Sequence, residues 1–132
     1  MRRKRYLEKL EWIEEEVNFT AGMDLNGNVE RRAVLYSILT AVEAAMDIVA
    51  MLLKDLGFEV EDDYSNIKKL VDEGVLSEED ADLLRRFNGL RNAIAHHYNH
   101  LDLKKVEGAI ESMGELLDIA ARLVEVAEKL VK

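Results

Sequence analysis

The segment Arg91-Asn92-Ala93-Ile94-Ala95-His96-His97-Tyr98 concentrates the side chains best suited to phosphate chemistry. A planar guanidinium can grip two phosphate oxygens at once, and an imidazole titrates near neutral pH, so it can accept or release a proton. Asn92 and His96 are four apart, one helical turn, so the amide can orient the imidazole or the phosphate. Tyr98 adds a hydroxyl beside the motif.

On a helix, Leu83, Phe87, Leu90 and Ile94 gather on one side and set the core direction. Asn92 and His96 then point away from the core, near Arg85. Arg91 and Tyr98 flank the apolar stripe, and His97 leans into it, which predicts a packed, hydrogen-bonded histidine. Five positions on a regular helix separate Arg91 from His96 by about 140°. One regular helix would not close both around a single small group, so either the helix ends near His96 or a second copy of the chain completes the site.

Each of these residues also has a plainer reading. His96 could be a surface histidine, Arg91 a structural ion-pair partner, and Tyr98 an edge aromatic with its hydroxyl satisfied. His96 and His100 are four apart, a metal-ligand spacing if the helix continued, but Asn99 to Asp102 reads as a loop before a cap. No metal and no cofactor is therefore expected. On the second helix Tyr36, Thr40, Glu43 and Asp47 form a polar line. Glu43 or Asp47 could support Arg91 or His96 from there, or the line could be a solvated face.

The elements that must hold these residues are all helical. The 132 residues contain no proline, and 48% are hydrophobic, enough for one domain with a core. A first helix is predicted over Arg3–Val17 with Leu7, Leu10, Ile13 and Val17 inward, followed by a connection from Asn18 to Asn28. A long second helix is predicted over Val29–Leu56, stopped by Gly57. A short helix capped by Ser65 and ended by Gly74 comes next, then a helix capped by Ser77, and a last helix capped by Asp102 that runs to Leu130. The expected fold class is all-α: an antiparallel four-helix bundle with an additional short helix, spanning 1–132 as a single domain.

Composition excludes several classes. Without cysteine there is no disulfide, thiolate metal site or cysteine nucleophile, which points to the cytoplasm. No apolar run follows the basic Arg2-Arg3-Lys4-Arg5 as in a signal peptide, and none reaches membrane-spanning length, so no membrane partner is expected. The absence of glutamine alongside abundant Glu, Lys and Arg is a bias of proteins from hot environments. A net charge of −9 opposes nonspecific binding of a polyanion. Basic residues are nevertheless segregated: Arg85, Arg86, Arg91, Lys104 and Lys105 cluster around the motif, and four more stand at Arg2–Arg5. No phosphate-binding glycine loop, catalytic serine motif or dinucleotide fingerprint is present.

Arg91, His96 and Tyr98 match the pattern arginine, any four residues, histidine, any one, tyrosine, and so resemble the HepT branch of the HEPN superfamily. The resemblance extends from about Val29 to Leu130, through Glu30-Arg31-Arg32, the Asn66–Leu76 segment ending in Gly-Val-Leu, and Asp102. It implies a homodimeric, metal-independent endoribonuclease toxin in which a ribose 2′-hydroxyl attacks the adjacent phosphorus to leave a cyclic phosphate. Arg91, Asn92 and His96 would be its catalytic residues. It also implies a minimal nucleotidyltransferase antitoxin as partner, which would modify Tyr98 with nucleotide monophosphate and so place bulk and negative charge at the phosphate site. Two other classes remain open. One is a non-catalytic dimeric helical module that binds and regulates a nucleotidyltransferase, which the acidic charge favours. The other is a metal-dependent helical hydrolase built on the histidines.

Overall fold

The computed structural model describes residues 2–130, apart from the side chain of Asn99. Five α-helices and one 3-10 turn account for nearly all of it, and no strand occurs among the described residues. The helices are α1 (Arg2–Thr20), α2 (Asn28–Asp55), α3 (Asp63–Asp72), α4 (Glu78–His96) and α5 (Leu103–Leu130).

Local chemistry sets the boundaries. Helix α1 runs three residues beyond the expected Val17, because Thr20 is buried and its hydroxyl donates to the Glu16 and Val17 carbonyls, closing the last turn internally. Gly22, at φ +73°, then turns the chain. The cap of α3 also differs from expectation. Asp62, not Ser65, accepts the orphan amide, since Ser65 N donates to Asp62 Oδ1 at 2.8 Å. Ser65 is therefore the third residue of the helix and a donor to the cap. Ser77 caps α4 as expected, its hydroxyl accepting from Asp80 N at 3.1 Å. Asp102 Oδ1 accepts from Lys104 N at 3.0 Å at the head of α5.

Ion pairs and hydrogen bonds give the helix directions. Tyr6 Oη donates to Asp55 at 2.6 Å, Arg2 pairs with Asp55 and Arg3 with Glu128. The start of α1 thus shares one end of the molecule with the ends of α2 and α5. Arg122 pairs with Asp80 at 2.6 Å, which brings the start of α4 toward that same end. Helix α4 therefore runs antiparallel to α2 and α5, and His96 lies at the opposite end, with the start of α2. Helices α2 and α5 lie against one another, α1 and α4 each contact both, and α3 braces α2 and α4. Among the described residues α1 and α4 do not meet, so one strip of α2 stays uncovered between them.

Helix α2 is central. Val34, Leu35, Ile38, Val42, Val49 and Leu52 are all buried. It is also long and apolar enough to cross a bilayer, with a mean hydropathy of 1.7 over its most apolar stretch, but 67% of that stretch is covered by other helices. It reads as a core helix. One expected core position, Leu7, lies outside, as does the last residue of α5. Leu7 is 37% exposed because its neighbour Tyr6 fills the interior instead, and Leu130 is 46% exposed where α5 runs out of partners. Burial together with the Asp55 carboxylate pushes the Tyr6 hydroxyl well above its ordinary value.

Candidate active site

Helix α4 stops at His96. The His97 amide closes the last turn on the Ala93 carbonyl at 2.8 Å, but His97 has left helical geometry (φ −133°, ψ 40°). Tyr98–His100 then form a 3-10 turn, closed by His100 N donating to His97 O at 2.9 Å. The helix ends only after the histidine, so Arg91 and His96 both stay on regular helix and still diverge by about 140°. His96 is exposed, turned away from the apolar interior as its place on α4 predicts.

The same termination overturns two expectations drawn from a continuous helix. His97 is exposed, not packed into the stripe, because the backbone turns before its side chain can reach the core. Tyr98 no longer continues the line of Arg91, and is 43% exposed on the 3-10 turn. His96 and His100 likewise do not share a helix face, and no group of three or more His, Asp or Glu gathers for a metal among the described residues.

Arg91 lies one and a half turns inside the helix end, where α4 crosses α2 and the head of α3. Its guanidinium sits between Glu43 of α2 at 3.6 Å and Asp63 of α3 at 3.5 Å, with about a quarter of the side chain exposed. Both contacts are longer than a well-formed charge-assisted hydrogen bond, so they steer the group without saturating it. Arg91 Nε and the Oδ1 of Asn88, one turn earlier on α4, are buried side-chain atoms without a partner among the described residues. Asn92 is half-buried one turn before His96.

Of the two acidic residues expected to support the site, only Glu43 reaches it. Asp47 is drawn off by Lys9 of α1 at 2.8 Å. Asp63 was not foreseen: it stands 28 positions before Arg91, and only the folding of α3 onto α4 joins them. Several of the basic residues that the charge pattern singled out are engaged. Arg85 pairs with Asp82 and Glu78, while Arg2 and Arg3 are tied to α2 and α5. Arg91, five positions before the exposed imidazole on the same helix, is itself only loosely held. Because a helix C-terminus carries partial negative charge, an anion at His96 would need a cation beside it.

Beside this end, an open cleft of about 800 Å³ runs between α4 and α5. Leu83, Phe87, Leu90, Ala93, Leu101 and Ala109 give it an apolar floor.

Residues 3–124 match the family described as Ribonuclease HepT-like. The chain belongs to that family. A relative from Archaeoglobus fulgidus named "Putative RNase" is 64% identical to this HepT-like chain over 130 residues, 98% of each sequence. Among solved structures, the cytosolic protein of unknown function YutE from Bacillus subtilis superposes with a TM-score of 0.84 at 18% identity, covering 96% of this chain and 91% of YutE. A tri-AMPylated HEPN toxin from Shewanella oneidensis, in complex with an MNT antitoxin, superposes with a TM-score of 0.73, also at 18% identity, over 95% of this chain and 97% of its own. At that identity the two structures speak for the fold.

Proposed function

We propose that this HepT-like protein is a metal-independent endoribonuclease toxin acting in the cytoplasm. In this reading residues 1–132 form one domain, with α1, α2, α4 and α5 as an antiparallel four-helix bundle that works as a homodimer. The observation that carries it is the end of α4, where an exposed His96 stands beyond an Arg91 steered by Glu43 and Asp63.

The chemistry follows from what these groups can do. His96 takes the proton from a ribose 2′-hydroxyl as its oxygen attacks the neighbouring phosphorus. The bond to the 5′-oxygen breaks, and that oxygen receives a proton, leaving a 2′,3′-cyclic phosphate and a 5′-hydroxyl. Arg91 stabilises the charge on the non-bridging oxygens as they crowd in the transition state. Asn92 orients the imidazole. The apolar cleft between α4 and α5 would be covered by a second copy, which sets two motifs along one seam and supplies a second imidazole for the leaving group. Tyr98, exposed on its turn, is accessible to a nucleotidyltransferase antitoxin.

The test is RNA cleavage by purified protein in excess chelator. A loss of about 10²–10⁴-fold is expected for His96→Ala, the range for removing a general acid or base. About 10²–10³-fold is expected for Arg91→Ala, as for loss of one transition-state donor. Undiminished cleavage by either variant would remove these assignments, and inhibition by chelator would remove metal independence.

A second reading has its own support. The net charge of −9 and the two carboxylates around Arg91 suit a non-catalytic dimeric module that binds and regulates a nucleotidyltransferase. Copurification with such an enzyme while RNA stays intact under all conditions would decide for it.

A further inference from the structure

The uncovered strip of α2 is the floor of a groove. On one side Glu43 reaches Arg91 of α4; on the other, Thr40, Glu43 and Asp47 line a cavity of about 350 Å³ together with α1. The α1 wall presents Arg5, Lys9 and Trp12, which recur at helical spacing and so share one face. Glu43 thus belongs both to the cradle of Arg91 and to this cavity, which places the two side by side. Trp12 is the only tryptophan in the chain, and it is 41% exposed. An indole left open to water at the mouth of a polar cavity contributes little to the core and offers a flat stacking surface.

Charge narrows what the cavity can accept. Lys9 is held by Asp47 at 2.8 Å and Glu43 faces Arg91, while Glu8 adds a further carboxylate to the wall. A phosphate would meet more acceptors than free donors there. A neutral ring carrying N–H donors would find an aromatic face in Trp12 and carboxylate or hydroxyl acceptors in Glu8, Glu43 and Thr40. Arg5, which also lines the cavity, remains for a flanking phosphate.

We propose that this groove is a nucleobase subsite: an unpaired base next to the cleaved linkage stacks on Trp12 with its N–H edge toward the α2 carboxylates. The proposal rests on the ribonuclease reading for its substrate, and it assigns the site that would give single-stranded RNA its register. Aromatic stacking of splayed-out bases is the usual means of holding single-stranded RNA. Bases with an exocyclic amino group should be preferred over uracil, which has one ring N–H donor and no amino group.

Trp12 supplies the probe. Short single-stranded oligoribonucleotides carrying 2′-O-methyl groups, which block internal attack, are titrated into the wild-type protein while indole emission is followed. Affinities of the Trp12→Ala and Trp12→Phe variants are read in parallel by anisotropy of a labelled oligonucleotide. Expected are quenching on binding, a loss of about 5- to 100-fold in affinity for Trp12→Ala, substantial recovery in Trp12→Phe, and weaker binding of an all-uridine strand. Unchanged emission with equal affinity in Trp12→Ala, while unmodified RNA is still cleaved, would overturn the subsite and leave the nuclease standing. Quenching without cleavage of unmodified RNA would keep the subsite and sink the nuclease. Quenching by a copurified protein partner and not by RNA would show the face to be a protein-docking surface, which also overturns the proposal.

Discussion

Arg91 illustrates how a cation at the candidate site can be held without being neutralised. Two carboxylates at 3.5 and 3.6 Å restrict the guanidinium, yet neither makes a tight bidentate pair, so its donors stay within reach of a competing phosphate. On the ribonuclease reading the carboxylates would also repel the RNA phosphate, and position and repulsion should separate on mutation. Glu43→Gln or Asp63→Asn should lower kcat by about tenfold as Arg91 loosens, while KM stays level or falls because one negative charge is gone. Stability should change by no more than about 1 kcal/mol, since these are partly exposed pairs. Steady-state kinetics alongside thermal melts check this, and a rise in KM at constant kcat would contradict it.

At the scale of elements, α3 is the brace that brings Asp63 to Arg91, and its first turn depends on Asp62. The backbone amide of Ser65 holds the Asp62 carboxyl below its ordinary value. A group lowered in the folded state stabilises above its unfolded value, and that contribution fades as pH falls through the lowered folded value. Asp62→Ala should therefore lower the melting temperature at neutral pH, with the gap to wild type closing in acid. Ser65→Ala should lower the melting temperature less than Asp62→Ala, because the backbone N–H of residue 65, the larger of the two Ser65 contributions, survives the change. Melts of both variants across the acid range decide whether the cap is Asp62 or Ser65. The end of α4 matters equally, since a helix continued through His97 would have turned that imidazole toward the core and carried Tyr98 along the Arg91 line.

For the molecule as a whole, the question is what covers the apolar cleft between α4 and α5. Ala93 lines it, three positions before His96 on the helix that carries the motif. A charge introduced there would be desolvated by any copy that docks, at a cost of several kcal/mol unless it found a partner. Ala93→Glu should thus shift the protein from dimer to monomer in sedimentation experiments, with cleavage falling in step while the helix content holds. A variant that stays dimeric and active would place the seam elsewhere.

The sequence alone determined the helical class, the order of the elements, the Ser77 and Asp102 caps and the identity of the motif, because these depend on periodicity and on residues a few positions apart. Spacing also showed that Arg91 and His96 could not meet on a continuous helix. It could not say that α4 stops at His96, nor choose Tyr6 over Leu7 for the interior. The rest was decided by tertiary packing. Asp63 lies 28 positions from Arg91, Lys9 draws Asp47 away across 38, and Trp12 meets Glu43 only because α1 folds beside α2. Contacts of that separation leave no periodic trace in the chain, since they are set by how apolar faces dock and which charges are then left within reach of each other.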